Sequence, residues 1–334
     1  MPETPRSSFL ALSESASLGT LVCREAGLRQ IPLEERRFQG GEFKLRPLES
    51  VRGHCVYVLQ TLAGSPDAPV AERLVRLLFL LNTLRDAGAA RRVVIIPYLA
   101  YARKERRTQT RDPVHTRYVA QLLESSAADQ LMLLDVHNPA ATDNAFRIPL
   151  DHLTALPMMA DHFARRLGPG QIAVVSPDVG GIKRAQIFRE MLTARLQRPI
   201  ELLFAEKRRV SGAVSSAGLV GDPAGRQAII IDDLCATGGT LLSAAEMCRD
   251  AGAACVHAAV SHAPLTEGLD LLIAAGSIDG IVTTDSVGSF RRPDPVGKLT
   301  ILSVAPLFGQ AIRRTLAGIP LAPLLSRWPV TDAD

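Results

Sequence analysis

The densest chemistry in the chain lies between Asp232 and Thr240, in the run Asp232-Asp233-Leu234-Cys235-Ala236-Thr237-Gly238-Gly239-Thr240. Two acids, two glycines and two threonines follow the apolar segment Ala228 to Ile231 and precede a helical run from Leu241 to Asp250. A strand, a tight loop and a helix start together aim backbone N–H groups at an anion. Glycines let the backbone approach that anion, and threonine hydroxyls add donors. The acids need a different partner, because a carboxylate beside a phosphate repels it unless a cation or a neutral hydroxyl stands between. A sugar diol or a Mg²⁺ ion fills that gap. The run therefore reads as a site for a phosphorylated sugar. Asp232 and Asp233 face ribose hydroxyls or metal, and Thr237, Gly238, Gly239 and Thr240 face the 5-phosphate. The side chain of Asp233 is expected at the surface of a cleft. Cys235 reads as a small filler, not a nucleophile.

Other polar clusters also sit at the ends of apolar runs. Asp135-Val136-His137 follows Leu131 to Leu134, and Ser176-Pro177-Asp178 follows Ile172 to Val175 and leads into Gly180-Gly181. Glu206-Lys207-Arg208-Arg209 follows Ile200 to Phe204, and a basic segment with Arg103, Lys104, Arg106, Arg107 and Arg111 follows Arg92 to Tyr98. In open α/β sheets, ligands bind outside the carboxyl ends of the strands. Lys207 and Arg209 open a stretch rich in Ser, Gly and Ala that runs to Gly218 and reads as a flexible loop. Adjacent cations there suit transferring phosphates, with Arg as a planar fork and Lys as a point charge, and a closing lid would expel water. The basic segment around Arg103 lacks the interleaved aromatics of a single-strand nucleic-acid platform.

The elements that must position these residues alternate between strands and helices. Helical spacing runs over Ala71–Leu84, from near Pro113 to Ser125, and over Ala155–Arg166, Ile182–Leu196 and Phe308–Leu316. Further buried strands are predicted at Cys55–Leu59, Ala254–Val260, Ile278–Thr283 and Leu299–Val304. Such alternation implies parallel sheets covered by helices. A length of 334 residues suits two domains. We place them at 1–150 and 151–310, with 311–334 as a closing helix and tail. Hydrophobic residues at 47% and charged residues at 22% are those of a soluble globular protein. A net charge of +4 does not argue for nucleic acid. No apolar run reaches the ~20 residues that span a bilayer, and the N-terminus lacks a signal-peptide pattern. The five cysteines include no CxxC pair, so neither a disulfide framework nor a zinc site is indicated. A cytoplasmic enzyme, bound to neither membrane nor nucleic acid, is the expectation.

The loop at Asp232–Thr240 resembles the phosphoribosyl-pyrophosphate (PRPP) loop shared by type I phosphoribosyltransferases and PRPP synthetases. Six further segments match in order. They are Glu49-Ser50-Val51-Arg52-Gly53, Pro97-Tyr98 with Tyr101-Ala102-Arg103, Leu134-Asp135-Val136-His137, Ser176-Pro177-Asp178-Val179-Gly180-Gly181, Glu206-Lys207-Arg208-Arg209 and Ser303-Val304-Ala305-Pro306-Leu307. Together they resemble the ribose-phosphate pyrophosphokinase (PRPP synthetase) family. The resemblance implies two tandem type I phosphoribosyltransferase-like domains, each a mainly parallel sheet flanked by helices. It implies transfer of the pyrophosphoryl group of MgATP to ribose 5-phosphate, and a homo-oligomer, hexamer or dimer. It further implies catalytic roles for Lys207 and Arg209, ATP contacts from Phe38, Glu42, Arg103, Lys104 and His137, and a Mg²⁺ ion near His137 and Asp178. Two departures bear on nucleotide selectivity, Phe38-Gln39-Gly40-Gly41-Glu42 where the family reads FSDGE, and Lys104 where it carries glutamine. Ala236 replaces an aspartate that in many transferases helps activate the incoming base, which tilts the reading away from a PRPP-consuming transferase. A non-catalytic regulatory paralogue is the other alternative, and the presence of His137, Lys207, Asp232 and Asp233 weighs against it.

Overall fold

The computed structural model describes residues 6–210, 213–264, 266–288, 294 and 296–325, excepting the side chains of 207–210, 213–217 and Thr266. The chain divides into two compact units. The first takes the described residues of 1–153, 286–290 and 304–321, and the second those of 154–285, 291–303 and 322–334.

The first unit contains β1 (Ser7–Ala11), α1 (Ala16–Ala26), β2 (Arg29–Gln30), β3 (Leu33–Arg37), β4 (Phe43–Pro47), β5 (Cys55–Leu59) and α2 (Val70–Asp86). It continues with β6 (Arg91–Ile96), α3 (His115–Ser125), β7 (Gln130–Leu134), α4 (Pro139–Ala145) and β8 (Leu150–Leu153). Its sheet has the order β2-β1-β5-β6-β7-β8 and is parallel throughout. Every residue of β5 and β7 is buried, because both faces of a parallel sheet are covered. From α2, Leu74, Leu77, Leu81 and Leu84 enter the core at helical spacing. Strands β3 and β4 form a separate antiparallel hairpin.

The second unit contains α5 (Leu156–Arg166), β9 (Ile172–Ser176), α6 (Ile182–Leu196), β10 (Glu201–Val210), β11 (Ala213–Val220) and β12 (Gln227–Leu234). It goes on with α7 (Gly239–Asp250), β13 (Cys255–His262), α8 (Thr266–Ala274), β14 (Gly280–Thr284) and β15 (Leu299–Leu302). Its sheet has the order β11-β10-β9-β12-β13-β14-β15, parallel except where β10 meets β11. Strand β12 lies between β9 and β13, so Ala228 to Ile231 are wholly buried. The two acids lie near the carboxyl end of this central strand.

Two expectations need correction. The Ser/Gly/Ala-rich stretch after Glu206 is not a loop. Its backbone forms the β10–β11 hairpin, paired from Phe204 with Val220 to Val210 with Ala213, and a bulge interrupts the register between Arg208 and Arg209. Two extended strands satisfy each other's N–H and C=O groups even where the side chains are small. The expected cut at residue 310 falls inside α9 (Ala305–Ala317), which belongs with the first unit and packs on α1. Arg313 on α9 donates to the carbonyl of Glu25 at the end of α1. The closing helix thus returns to the first unit, a connection no local pattern announces.

Candidate functional site

In the second unit, the two acids that end β12 share one cation. Arg184, in the first turn of α6, donates from Nη1 to Asp232 Oδ1 at 2.7 Å and from Nη2 to Asp233 Oδ1 at 2.9 Å. The backbone N–H of Asp233 also donates to Asp232 Oδ1, at 2.9 Å. Asp233 is buried, with 5% of its surface exposed, whereas Asp232 is half-buried. This corrects the expectation that the Asp233 side chain stands at the surface: both carboxylates turn toward the one Arg184 guanidinium, and that contact covers Asp233 more than Asp232. Burial pushes the Asp232 carboxyl up to about 7, and the neighbouring charge of Asp233 adds to this while Arg184 opposes it.

The loop after β12 is drawn tight. Cys235 N–H donates to the carbonyl of His262 at 2.8 Å, and Cys235 itself is buried. Burial pushes its thiol up to about 11, so Cys235 is the inert filler its context suggested. Gly238 has φ +79° and caps α7, and a Cβ there would lie 2.7 Å from the carbonyl oxygen of Gly268. Gly268, on α8, is equally constrained, for a Cβ there would lie 2.3 Å from the carbonyl oxygen of Ala236. These two glycines let α8 and the loop touch backbone to backbone. Gly239 and Thr240 then open α7, where first-turn amides have no acceptor within the helix. Thr237 and Gly239 are exposed.

Asp178 stands at the end of β9, the neighbour of β12. Its Oδ1 accepts from Gly181 N–H at 2.9 Å, and its carbonyl accepts from the buried Ser176 hydroxyl at 2.6 Å. A Cβ on Gly181 would meet Ser176 Oγ at 2.7 Å, Asp178 Oδ1 at 3.7 Å and Arg184 Nη1 at 3.8 Å. The bend at Ser176–Gly181 and the Arg184 fork are thus neighbours, and the second unit gathers Asp178, Arg184, Asp232 and Asp233. Lys207 and Arg209 lie on β10, and their side chains are outside the described residues.

The first unit holds the other candidates. Phe38 to Glu42 form the tip of the β3–β4 hairpin, where Phe38 N–H donates to the carbonyl of Glu42 at 2.7 Å. Phe38 is 40% exposed, with the Arg36 guanidinium 5.0 Å from its ring centroid. The hairpin is docked on α2 through Glu35, which pairs with buried Arg76, and through Phe43, whose ring centroid is 5.4 Å from that of Phe79. After β6, the basic segment wraps around the start of α3. The Thr116 hydroxyl donates to the carbonyls of Ala102 and Lys104, at 3.3 and 3.4 Å. Lys104 Nζ reaches Asp112 Oδ2 at 2.5 Å, and the same oxygen accepts from the Thr108 and Gln109 N–H groups. Those donors hold the Asp112 carboxyl well below the usual carboxylate range, with Lys104 the largest contributor. Lys104 is therefore partnered within its own loop, while Arg103 beside it is exposed. His137 follows Asp135, whose φ is +38°, and is exposed. Asn138 caps α4 and also donates to Glu105 at 3.0 Å, tying the His137 segment to the basic one.

Sequence reading missed Arg184, Asp112 and Gly268. Arg184 carried a signal, a cation in the first turn of the helix that starts where the strand beside β12 ends. Gly268 carried none, because its role depends on a carbonyl 32 positions away in sequence.

Two units, each built on a mainly parallel sheet flanked by helices, the second with a glycine-tight strand-to-helix loop after its central strand, define two tandem phosphoribosyltransferase-like domains. Residues 8–126 match the N-terminal domain of ribose phosphate pyrophosphokinase, and residues 158–284 match the phosphoribosyl transferase domain. The ribose-phosphate pyrophosphokinase of Listeria ivanovii is 34% identical over 311 residues, 93% of this chain and 94% of its own. That of Caldanaerobacter subterraneus subsp. tengcongensis is 34% identical over 315 residues, 94% of this chain and 96% of its own. The crystal structure of phosphoribosylpyrophosphate synthetase from Mycobacterium smegmatis superposes with a TM-score of 0.85 at 28% identity, covering 94% of this chain and 99% of that one. The chain belongs to the ribose-phosphate pyrophosphokinase family of enzymes. A PRPP-consuming transferase is not favoured, because the N-terminal pyrophosphokinase domain is matched as well as the transferase domain. No helix among the described residues is long and apolar enough to cross a membrane.

Proposed function

We propose that this chain transfers the β,γ-pyrophosphoryl group of ATP to the anomeric hydroxyl of ribose 5-phosphate, giving PRPP and AMP. The anomeric oxygen forms a bond to the β-phosphorus, the bridging bond to the α-phosphate breaks, AMP leaves, and the hydroxyl proton passes to solvent. The observation that carries this reading is the paired Asp232 and Asp233 beside a glycine-tight loop that opens α7. The acids accept from the ribose hydroxyls, and the loop from Thr237 to Thr240 donates to the 5-phosphate.

On the nucleotide side, exposed Arg103 and His137 face the polyphosphate, and Phe38 with Glu42 at the hairpin tip faces the base. Lys104, held by Asp112, shapes the Arg103 loop more than it reads the nucleotide. Lys207 and Arg209 supply positive charge that the pyrophosphoryl group needs as the bridging bond breaks. Among the described residues no three His, Cys, Asp or Glu side chains converge as a metal cage. Mg²⁺ does not require one, since it is commonly held by one or two carboxylates together with substrate phosphates and water. Asp178 fits that role as an exposed carboxylate of the second unit, and His137 is an exposed imidazole of the first. When bound, Mg²⁺ neutralises part of the polyphosphate charge. The assembly we propose is a homo-oligomer, dimer or hexamer, working in the cytoplasm.

Mass spectrometry of the pure protein mixed with MgATP, ribose 5-phosphate and inorganic phosphate tests the reading. AMP and PRPP are expected in equal amounts. Consumption of PRPP with a free base, or no AMP at all, overturns it.

A further inference from the structure

A pair of adjacent carboxylates, one buried and one half-buried, is an unfavourable arrangement by itself, because each charge is desolvated and repels the other. Arg184 resolves it in a particular way. Its two terminal nitrogens each take one oxygen, Oδ1 of Asp232 at 2.7 Å and Oδ1 of Asp233 at 2.9 Å. A planar fork that engages two carboxylates fixes both orientations at once, which a single point charge cannot do. Arg184 is itself well covered, with side-chain exposure of 20%, and a Cβ at neighbouring Gly181 would lie 3.8 Å from its Nη1.

We propose that Arg184 is a positioning residue that makes this site read a vicinal diol, so that the enzyme selects ribose 5-phosphate over 2-deoxyribose 5-phosphate. The inference rests on the reading that Asp232 and Asp233 accept from the sugar hydroxyls. Arg184 does not touch the sugar. It sets the planes of the two carboxylates that do, and two hydroxyls on adjacent carbons match two fixed acceptors where one hydroxyl does not. Phosphate capture by the loop at Thr237–Thr240 is common to both sugars and cancels from their ratio.

The experiment is a thermal-shift titration of the full chain, in MgADP, with ribose 5-phosphate and separately with 2-deoxyribose 5-phosphate. It is run on the natural protein, Arg184→Gln and Arg184→Lys. The natural protein is expected to bind the ribose sugar roughly tenfold or more tightly, the worth of one hydrogen bond to a charged group. Arg184→Gln is expected to bring that ratio close to one, chiefly by weakening the ribose sugar, with the KM for ATP unchanged. Arg184→Lys keeps the charge and loses the fork, and is expected to fall between. A merely structural arginine would weaken both sugars alike, so an unchanged ratio in Arg184→Gln overturns the inference. If Arg184→Gln does not fold, an unchanged ratio in Arg184→Lys does so instead. A natural protein that binds the two sugars equally overturns the diol reading itself, and the inference with it.

Discussion

The acids of the second unit and the cations of the first are handled in opposite ways. Asp232 and Asp233 are covered, countercharged by Arg184 and set beside a loop so tight that neither Gly238 nor Gly268 has room for a Cβ. Arg103, Arg106 and Arg107 stand exposed on a segment whose backbone is tied down by Thr116 and Asp112. On the proposed reading, the difference follows from what each binds. A neutral diol offers weak dipoles, so its acceptors must be fixed beforehand to discriminate. A polyphosphate brings its own charge, and cations left at the surface attract it from solvent.

The largest expected effect would qualify the contrast, because it puts cations in the second unit. Lys207 lies on β10 of that unit. If it engages mainly as the bridging bond breaks, Lys207→Ala lowers kcat by roughly 10²–10³, ~3–4 kcal/mol, while KM for both substrates moves little. Steady-state kinetics decide this. A near-normal kcat with a raised KM for ATP would make Lys207 a binding residue.

The acidic side is expected to titrate. Burial and Asp233 raise the Asp232 carboxyl to about 7, above its unfolded value. The folded protein therefore holds a proton that the unfolded chain has lost between about pH 4 and pH 7, so this group's contribution to stability falls as pH rises through that window. If the diol donates to the ionised carboxylate, as proposed, ligand binding runs the other way. The KM for ribose 5-phosphate is expected to fall as pH rises from 6 to 8, and Asp232→Asn is expected to raise that KM and flatten its pH dependence. A wild-type KM independent of pH in that range would mean that Asp232 is not the acceptor.

Gly268→Ala probes the tightness itself. The added Cβ would lie 2.3 Å from the carbonyl oxygen of Ala236, so the loop after β12 must shift. Overpacking of this kind costs about 1–3 kcal/mol, read as a lower Tm, and the displaced loop should raise the KM for ribose 5-phosphate more than that for ATP. Equal effects on the two substrates would show that the contact serves stability alone.

Much of this was legible in sequence because it is local. The run from Ile182 to Leu196 announces α6 residue for residue, and Cys55–Leu59 announces β5. Strand β1 was not read, since two of its five residues are serine. Its Ser8 is buried and hydrogen-bonded to His54 Nδ1 at 2.7 Å, so tertiary context satisfies a residue that local patterning treats as exposed. The β10–β11 hairpin was hidden by its small residues, whose strand character comes from pairing and not from propensity. In the candidate site the acids and glycines after β12 stood out in sequence as a cluster, whereas Arg184, Asp112 and Gly268 act through contacts that only the fold creates.

The smallest expected effect lies on the cationic side. Asp112 gathers Lys104, Thr108 and Gln109 around one carboxylate oxygen, and so fixes the path of the segment that begins with Arg103. Asp112→Ala releases Lys104 and three hydrogen bonds to the Thr108 hydroxyl and the Thr108 and Gln109 amides, but Thr116 still anchors the carbonyls of Ala102 and Lys104. The segment should therefore loosen at its far end and keep its start. Because the network is solvated, its loss should cost little stability. Two opposing effects act on ATP, since a freed Lys104 adds a cation while a looser loop places Arg103 less well. If positioning dominates, the KM for ATP rises a few-fold, the KM for ribose 5-phosphate is unchanged, and added salt exaggerates the defect by screening what attraction remains. If charge dominates, the KM for ATP falls instead. Steady-state kinetics at two ionic strengths separate the cases. The anchored carbonyls on either side of Arg103 favour the first outcome with a small amplitude, and a fall in the KM for ATP would show that the exposed cations work as a field and not as a placed set.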